Sequence, residues 1–193
     1  MSYPPKTFWK QLRQVVSVIP KPYIDALTVL HEKLADVKTK WVINGDLAEC
    51  MKVVQTEPNG IEIVTSKEGV QQINLALQEF HPPVPVMQLF QLSRSALIDG
   101  KEYPVYARSL YFDLELNGVA VKVLGDLQFK VGDWDWGDIY DFTPEYVYIV
   151  GKRFSVTPLN IKLQFYKSLG WVDKFEQIKQ AMQRPVQINK SDS

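Results

Sequence analysis

The stretch from Tyr106 to Val131 constrains the fold of this chain more than any other. Asn117-Gly118 is the favoured pair for a two-residue hairpin turn, because both positions need positive φ. Before it, Leu110, Phe112, Leu114 and Leu116 alternate with Tyr111, Asp113 and Glu115; after it, Val119, Val121 and Val123 alternate with Ala120, Lys122 and Leu124. A two-residue turn sets the register. Leu116 faces Val119, Glu115 faces Ala120, Leu114 faces Val121 and Asp113 faces Lys122. The hairpin so formed has an apolar face and a polar face, the latter carrying Asp113, Glu115 and Lys122. The bland reading of that polar face is a solvated surface with one cross-strand Asp113–Lys122 pair.

Helical spacing governs much of the rest. Phe8, Trp9, Leu12, Val15, Val16 and Ile19 predict a helix over 6–19, which Pro20 and Pro22 interrupt. A second helix is expected over 22–34, with Tyr23, Ala26, Leu27, Leu30 and Leu34 inward. Trp41 to Asn44 reads as a strand, Gly45 and Asp46 as a tight strand-to-helix turn, and Leu47 to Val54 as a short helix. Ile61 to Thr65 is a strand with Ile61 and Ile63 on one side and Glu62 and Val64 on the other. Ser66 caps a long helix carrying Val70, Ile73, Leu77 and Phe80. A strand follows from Val84 to about Leu92. After the acidic aromatic loop over 132–145, a second hairpin pairs 146–150 with 153–156 around Gly151-Lys152. Pro158 opens a helix to Leu169 that Gly170 closes, and the last helix runs from Trp171 to Gln183. The tail 186–193 is expected to fray. This order predicts an α+β domain over 1–185. Its mixed, mostly antiparallel sheet has a core at about 40–157, helices on one face, and flanking helices over 6–36 and 158–183.

Composition removes several function classes. Lys and Arg total 22 and Asp and Glu total 22, so the formal charge is zero, which argues against binding nucleic acid through phosphate neutralisation. No apolar run is long enough to span a membrane, and the N-terminus lacks the apolar core of a secretory leader. One cysteine and two histidines exclude an internal disulfide and a Cys/His zinc site. A cytoplasmic protein is expected. Cys50 reads as a buried small apolar residue and His81, beside Pro82, as a helix-end residue. The loop holding Trp134, Trp136 and Tyr140 reads as a cap over the core, with a partner surface or a base-stacking surface as alternatives.

The segments WVINGDLAE, NGIEIVTSKEG and NGVAVKVLGD together resemble the nucleotidyltransferase superfamily over roughly 40–128, and more weakly to about 180. In that superfamily a glycine and a small hydroxyl residue end one strand. An acidic pair lies at alternate positions of the next strand, and a third carboxylate lies on a later strand. Together they hold two Mg²⁺ ions against a nucleoside triphosphate. Gly45 matches the glycine, and Asp46 stands where Ser or Gly is usual. Glu62 matches the second acid of the pair, with Gly60 in place of the first. Lys122 stands in place of the third carboxylate. Near the C-terminus Asn160 replaces an expected acid, Trp171 replaces an expected base, and Lys174 fits.

The resemblance therefore implies a nucleotidyltransferase-like protein without the two-metal site, binding a nucleotide or a protein partner. Gly45, Asp46, Lys122 and Lys174 are the candidate nucleotide-binding residues. The alternative is an active enzyme with Glu62 as catalytic residue and Asp46, Glu62, Asp113 and Glu115 around one Mg²⁺. It would move a nucleoside monophosphate from a nucleoside triphosphate to a small hydroxyl acceptor or a protein. No membrane partner and no nucleic acid are expected, and the chain is expected to be a monomer or a homodimer, with the loop from Trp134 to Tyr140 as the candidate dimer surface.

Overall fold

A computed structural model describes residues 19–52 and 54–183. The helix expected over 6–19 lies outside these residues except for Ile19, which is buried, and the tail at 186–193 lies wholly outside them. The described elements are α1 (Lys21–Lys33), β1 (Trp41–Asn44), α2 (Gly45–Met51), β2 (Ile61–Thr65) and α3 (Lys67–Ala76). Then come β3 (Val86–Gln91), β4 (Ala96–Ile98), β5 (Lys101–Tyr103), β6 (Val105–Leu116), β7 (Val119–Val131), β8 (Glu145–Ile149) and β9 (Lys152–Val156), followed by α4 (Leu159–Ser168) and α5 (Val172–Gln183).

The central hairpin forms in the register its turn dictates, with Leu116 opposite Val119 and Asp113 opposite Lys122. It supplies the second and third strands of a seven-stranded sheet in the order β3-β6-β7-β2-β1-β9-β8. The β2–β7 and β1–β9 pairs are parallel and the other pairs antiparallel, so the sheet is mixed and mostly antiparallel. A bulge in β7, where Asp126 and Leu127 stand opposite Ser109, interrupts the β6–β7 register, and the buried Ser109 hydroxyl donates to the Gly125 carbonyl at 3.0 Å.

Alternation along β1, β2 and β7 decides the two faces. Ile43, Ile61, Ile63, Val121 and Val123 point toward α1, α2 and α3, where Leu27, Leu30, Leu47 and Ile73 complete the main core with Phe112 and Phe154. Ser66 caps α3 by accepting from the Gly69 N–H at 3.1 Å. The opposite face carries Val42, Val64, Leu124 and Leu127. The aromatic loop lies over part of it through Tyr140 and Phe142, and α4 reaches the same side by packing Phe165 on Phe129 at 4.8 Å between ring centroids.

Two details differ from the expectation. The second hairpin turns at Val150-Gly151 (φ 48° and 75°), one residue earlier than expected, so Lys152 belongs to β9. Residues 96–103, given no element from sequence, form the small β4–β5 hairpin around Asp99-Gly100. That dipeptide is a recognised hairpin signal, but its flanking strands are only three residues long, too short to show alternation.

Candidate functional site

Sheet register gathers the predicted residues into a row. Asn44 stands opposite Glu62, Glu62 opposite Lys122, and Lys122 opposite Asp113. Side chains at paired positions share a face, so these four project on the side away from α1 to α3. Glu115 sits one pleat nearer the turn, opposite Ala120. Asp113, Glu115 and Lys122 are exposed, while Glu62 is half-buried.

The half-burial of Glu62 comes from the turn beside it. Gly45 has φ 66°, and a Cβ there would lie 3.5 Å from the Glu62 Cβ. Glycine thus permits both the left-handed backbone that starts α2 and its close approach to β2. The Asn44 side-chain amide donates to Glu62 Oε1, and the Thr157 hydroxyl donates to Asn44 Oδ1 at 2.8 Å. The Thr157 N–H in turn donates to the Ile43 carbonyl at 3.0 Å. This chain of bonds orients Glu62. Asn44 and Thr157 were not singled out from sequence, since Asn44 ends β1, which meets β2 only when the sheet assembles, and Thr157 follows β9, which pairs with the other edge of β1.

A second polar cluster lies beneath the same turn. Glu49 is completely buried; its Oε1 accepts from Lys162 Nζ at 3.0 Å and from the Tyr166 hydroxyl. Lys162 also donates to the Gly45 carbonyl at 2.7 Å. Glu49 Oε2 has no hydrogen-bond partner among the described residues, and Lys174 Nζ lies 3.7 Å from it. Lys174 donates to Asp46 Oδ1 at 3.0 Å. Burial works against the Lys174 ammonium, but the Asp46 hydrogen bond and the Glu49 charge outweigh it and raise its pKa. Burial, then the Glu49 charge, pushes the Tyr166 hydroxyl far up; Tyr140 is pushed up by burial and next by Glu62. Glu49 was not singled out from sequence, although an acid flanked by Leu47, Ala48, Cys50 and Met51 on a short helix is the signal that could have found it. Lys162 and Tyr166 carried no such signal.

The structure therefore brings Gly45 to Glu62 and Lys174 to Asp46. It leaves Asp113 and Glu115 apart from Asp46, with Lys122 between Glu62 and Asp113 in the row. Among the described residues, no group of three or more His, Cys, Asp or Glu side chains is placed to hold a metal ion. Gly60 lies on the Glu62 face two positions earlier. Its φ is 100°, and a Cβ there would lie 2.8 Å from the Ala120 carbonyl oxygen. The Gly60 N–H donates to the Tyr23 hydroxyl at 3.0 Å. Two divalent cations need several hard oxygen donors in one array. Gly60, Glu62 and Lys122 do not supply it.

One pleat beyond Glu62, an open groove of about 410 Å³ runs past Val42 and Val64 under Tyr140 and Phe142. Lys40 ties the overlying loop down through Asp141 and by donating to the Phe142 carbonyl at 2.9 Å. The Lys40 hydrogen bond holds the Asp141 carboxyl below its usual range. The loop therefore caps the face, as expected, through its second half. In its first half Trp136 lies against Arg108, 4.4 Å from guanidinium to ring, and Trp134 is exposed.

The fold has counterparts among solved structures. A nucleotidyltransferase candidate from Thermotoga maritima superposes with a TM-score of 0.60 at 24% identity, over 85% of this chain and 95% of that one. ANT(2″)-Ia, solved with adenylyl-2″-tobramycin, gives a TM-score of 0.48 at 7% identity, over 83% and 89% of the two chains. The lincomycin-bound lincosamide antibiotic adenylyltransferase LnuA gives 0.46 at 8% identity, over 85% and 98%. No protein-family profile and no curated protein matches the sequence. The chain has a nucleotidyltransferase-like fold, a conclusion that rests on the Thermotoga maritima structure together with the sheet order and the Gly45 turn. No helix among the described residues is long and apolar enough to cross a membrane.

Proposed function

We propose that this protein uses its nucleotidyltransferase-like fold to bind a nucleotide on the Glu62 face without two-metal nucleotidyl transfer. The observation that carries this reading is the position of Lys122, directly opposite Glu62 on the neighbouring parallel strand. An ammonium there repels a divalent cation and attracts a phosphate. The close approach of Ala120 to Gly60 points the same way, because it leaves no room for the first carboxylate of an acidic pair. Asp46 and Glu49 are engaged by Lys174, Lys162 and Tyr166, so the acids nearest Glu62 have cationic or hydroxyl partners inside the protein. The one-Mg²⁺ reading needs Asp46, Glu62 and Asp113 or Glu115 around a single gap, and the row of paired residues favours it less. Glu62, oriented by Asn44, is left to accept hydrogen bonds from the ligand. A reducing cytoplasmic location suits the single buried cysteine.

The test is a titration of each nucleoside triphosphate with and without Mg²⁺, followed by calorimetry and by product analysis. Binding is expected without Mg²⁺, weakened roughly tenfold in Lys122→Glu, the effect of losing about 1.4 kcal/mol of charged contact. Mg²⁺-dependent transfer of a nucleoside monophosphate, abolished in Glu62→Ala, would overturn the proposal. Absence of nucleotide binding under all conditions would move the function to a protein partner.

A further inference from the structure

The edge strand β3 belongs to no part of the site, and its composition is unusual for an edge. Between Pro82 and Ser93 there is no charged residue. Val86 is 55% exposed, Met87 59% and Leu89 63%. Sheet edges in monomeric proteins are normally blunted by charge, because the open N–H and C=O groups otherwise template a further strand. The opposite edge, β8, is treated in that way: Arg153 lies over Tyr146, 4.6 Å from guanidinium to ring, and Glu145 bonds Lys52.

The direction of the open groups follows from the register. β3 pairs with β6 without interruption from Val86–Tyr111 to Gln91–Tyr106, and the Leu92 N–H continues the ladder to the Val105 carbonyl at 2.8 Å. Main-chain groups alternate in direction along an antiparallel pair. Phe90, Gln88 and Val86 therefore point theirs toward β6, like Leu92. Met87, Leu89 and Gln91 point theirs outward.

We infer that β3 pairs antiparallel with β3 of a second copy of this chain, about a two-fold axis at Gln88, joining two sheets into one. The sequence around Gln88 is an apolar palindrome, Val-Met-Gln-Leu-Phe. Two-fold pairing there sets Met87 against Leu89 of the second copy on one face and Val86 against Phe90 on the other. Met87 and Leu89 are also residues with outward main-chain groups, so the Met87–Leu89 pairs are hydrogen-bonded ones, whereas Val86 and Phe90 meet as a non-hydrogen-bonded pair. Gln88 meets its own copy, amide to amide. A two-fold contact duplicates every charge near the axis, so a charge one position from Gln88 would lie diagonally across from its own copy and repel it. The absence of charge suits self-pairing in particular. Pro85 lacks an N–H but can still accept from Gln91 of the second copy, and Pro83 ends the ladder.

Sedimentation velocity over a range of concentrations, with two variants, tests the pairing. Wild type is expected to sediment as a dimer. Leu89→Lys, at an exposed position, is expected to keep the wild-type circular dichroism and melting curve while weakening dimerisation by about a hundredfold, because symmetry places two charges in the interface. Gln88→Cys supplies the second readout. A non-hydrogen-bonded pair has its Cα atoms about 4.5 Å apart, within the range a disulfide can bridge. Air oxidation of that variant is expected to give a covalent dimer on non-reducing gels, and native Cys50 is buried and cannot supply it. Monomeric wild type at all concentrations would overturn the inference. So would a dimer that survives Leu89→Lys and does not cross-link through position 88.

Discussion

Cys50 shows how one side chain reports on its surroundings. It is completely buried, and its thiol donates to the Thr56 carbonyl at 2.9 Å. Burial, followed by the charges of Asp46 and Glu49, pushes its pKa from 9.0 up to about 11. Folding therefore favours the neutral thiol. Its contribution is fully present below pH 9, where the unfolded thiol is also protonated, and is lost as pH rises toward 11. Chemical denaturation between pH 8 and pH 11 is expected to show this loss, on the order of 2 kcal/mol, and Cys50→Ala should flatten that part of the profile. An unchanged slope in the variant would mean that another group controls the alkaline limb. The sequence placed Cys50 correctly among small buried residues. Its acidic neighbours arise because Asp46 lies four positions before it and Glu49 directly before it on one short helix, folded against α4 and α5.

At the scale of elements, local chemistry predicted most of the structure. The Asn117-Gly118 turn sets the register of the seven pairs from Leu116–Val119 to Leu110–Gly125, and the four pairs beyond the bulge opposite Ser109 are shifted by one residue. The bulge was not legible, because it depends on what the buried Ser109 hydroxyl meets across the hairpin. The β8–β9 turn was misplaced by one residue for a related reason. Sequence preference favours Gly-Lys over Val-Gly, since a β-branched residue resists positive φ, yet Val150 adopts φ 48°. The pairing of Val147 with Phe154, which puts Phe154 in the main core, forces the turn onto Val150 and Gly151. The strain is removable. Val150→Asn is expected to stabilise the protein by about 1 kcal/mol, read as a higher urea midpoint at an unchanged slope. A lower midpoint would show that the exposed valine contributes packing worth more than the strain.

For the whole molecule, the decisive contact is the buried Glu49–Lys162 pair, because it joins α2 to α4 across more than a hundred residues of chain. Breaking a buried pair from one side leaves an uncompensated charge, whereas removing both partners does not. Glu49→Ala is expected to cost about 3–5 kcal/mol in thermal or urea unfolding, and the double variant Glu49→Ala, Lys162→Met should recover much of that loss. Equal losses in single and double variants would mean that Tyr166, Lys174 and the Gly45 carbonyl hold the cluster together without the pair. The chain's zero net charge acquires a local counterpart here, as Asp46 and Glu49 are matched by Lys174 and Lys162.

By itself the sequence determined the alternation of the strands, the hairpin register, the caps at Ser66 and Gly170, and the fact that Glu62 lies on the face opposite Ile61 and Ile63. All of these depend on neighbours within a few residues, where backbone geometry allows few choices. Only the tertiary structure decided that Asn44 and Thr157 orient Glu62, that Lys122 stands directly across from it, and that Glu49 is neutralised by Lys162. Those contacts join strands and helices far apart in sequence, and their partners are chosen by the order of strands in the sheet. No local preference of the chain encodes that order.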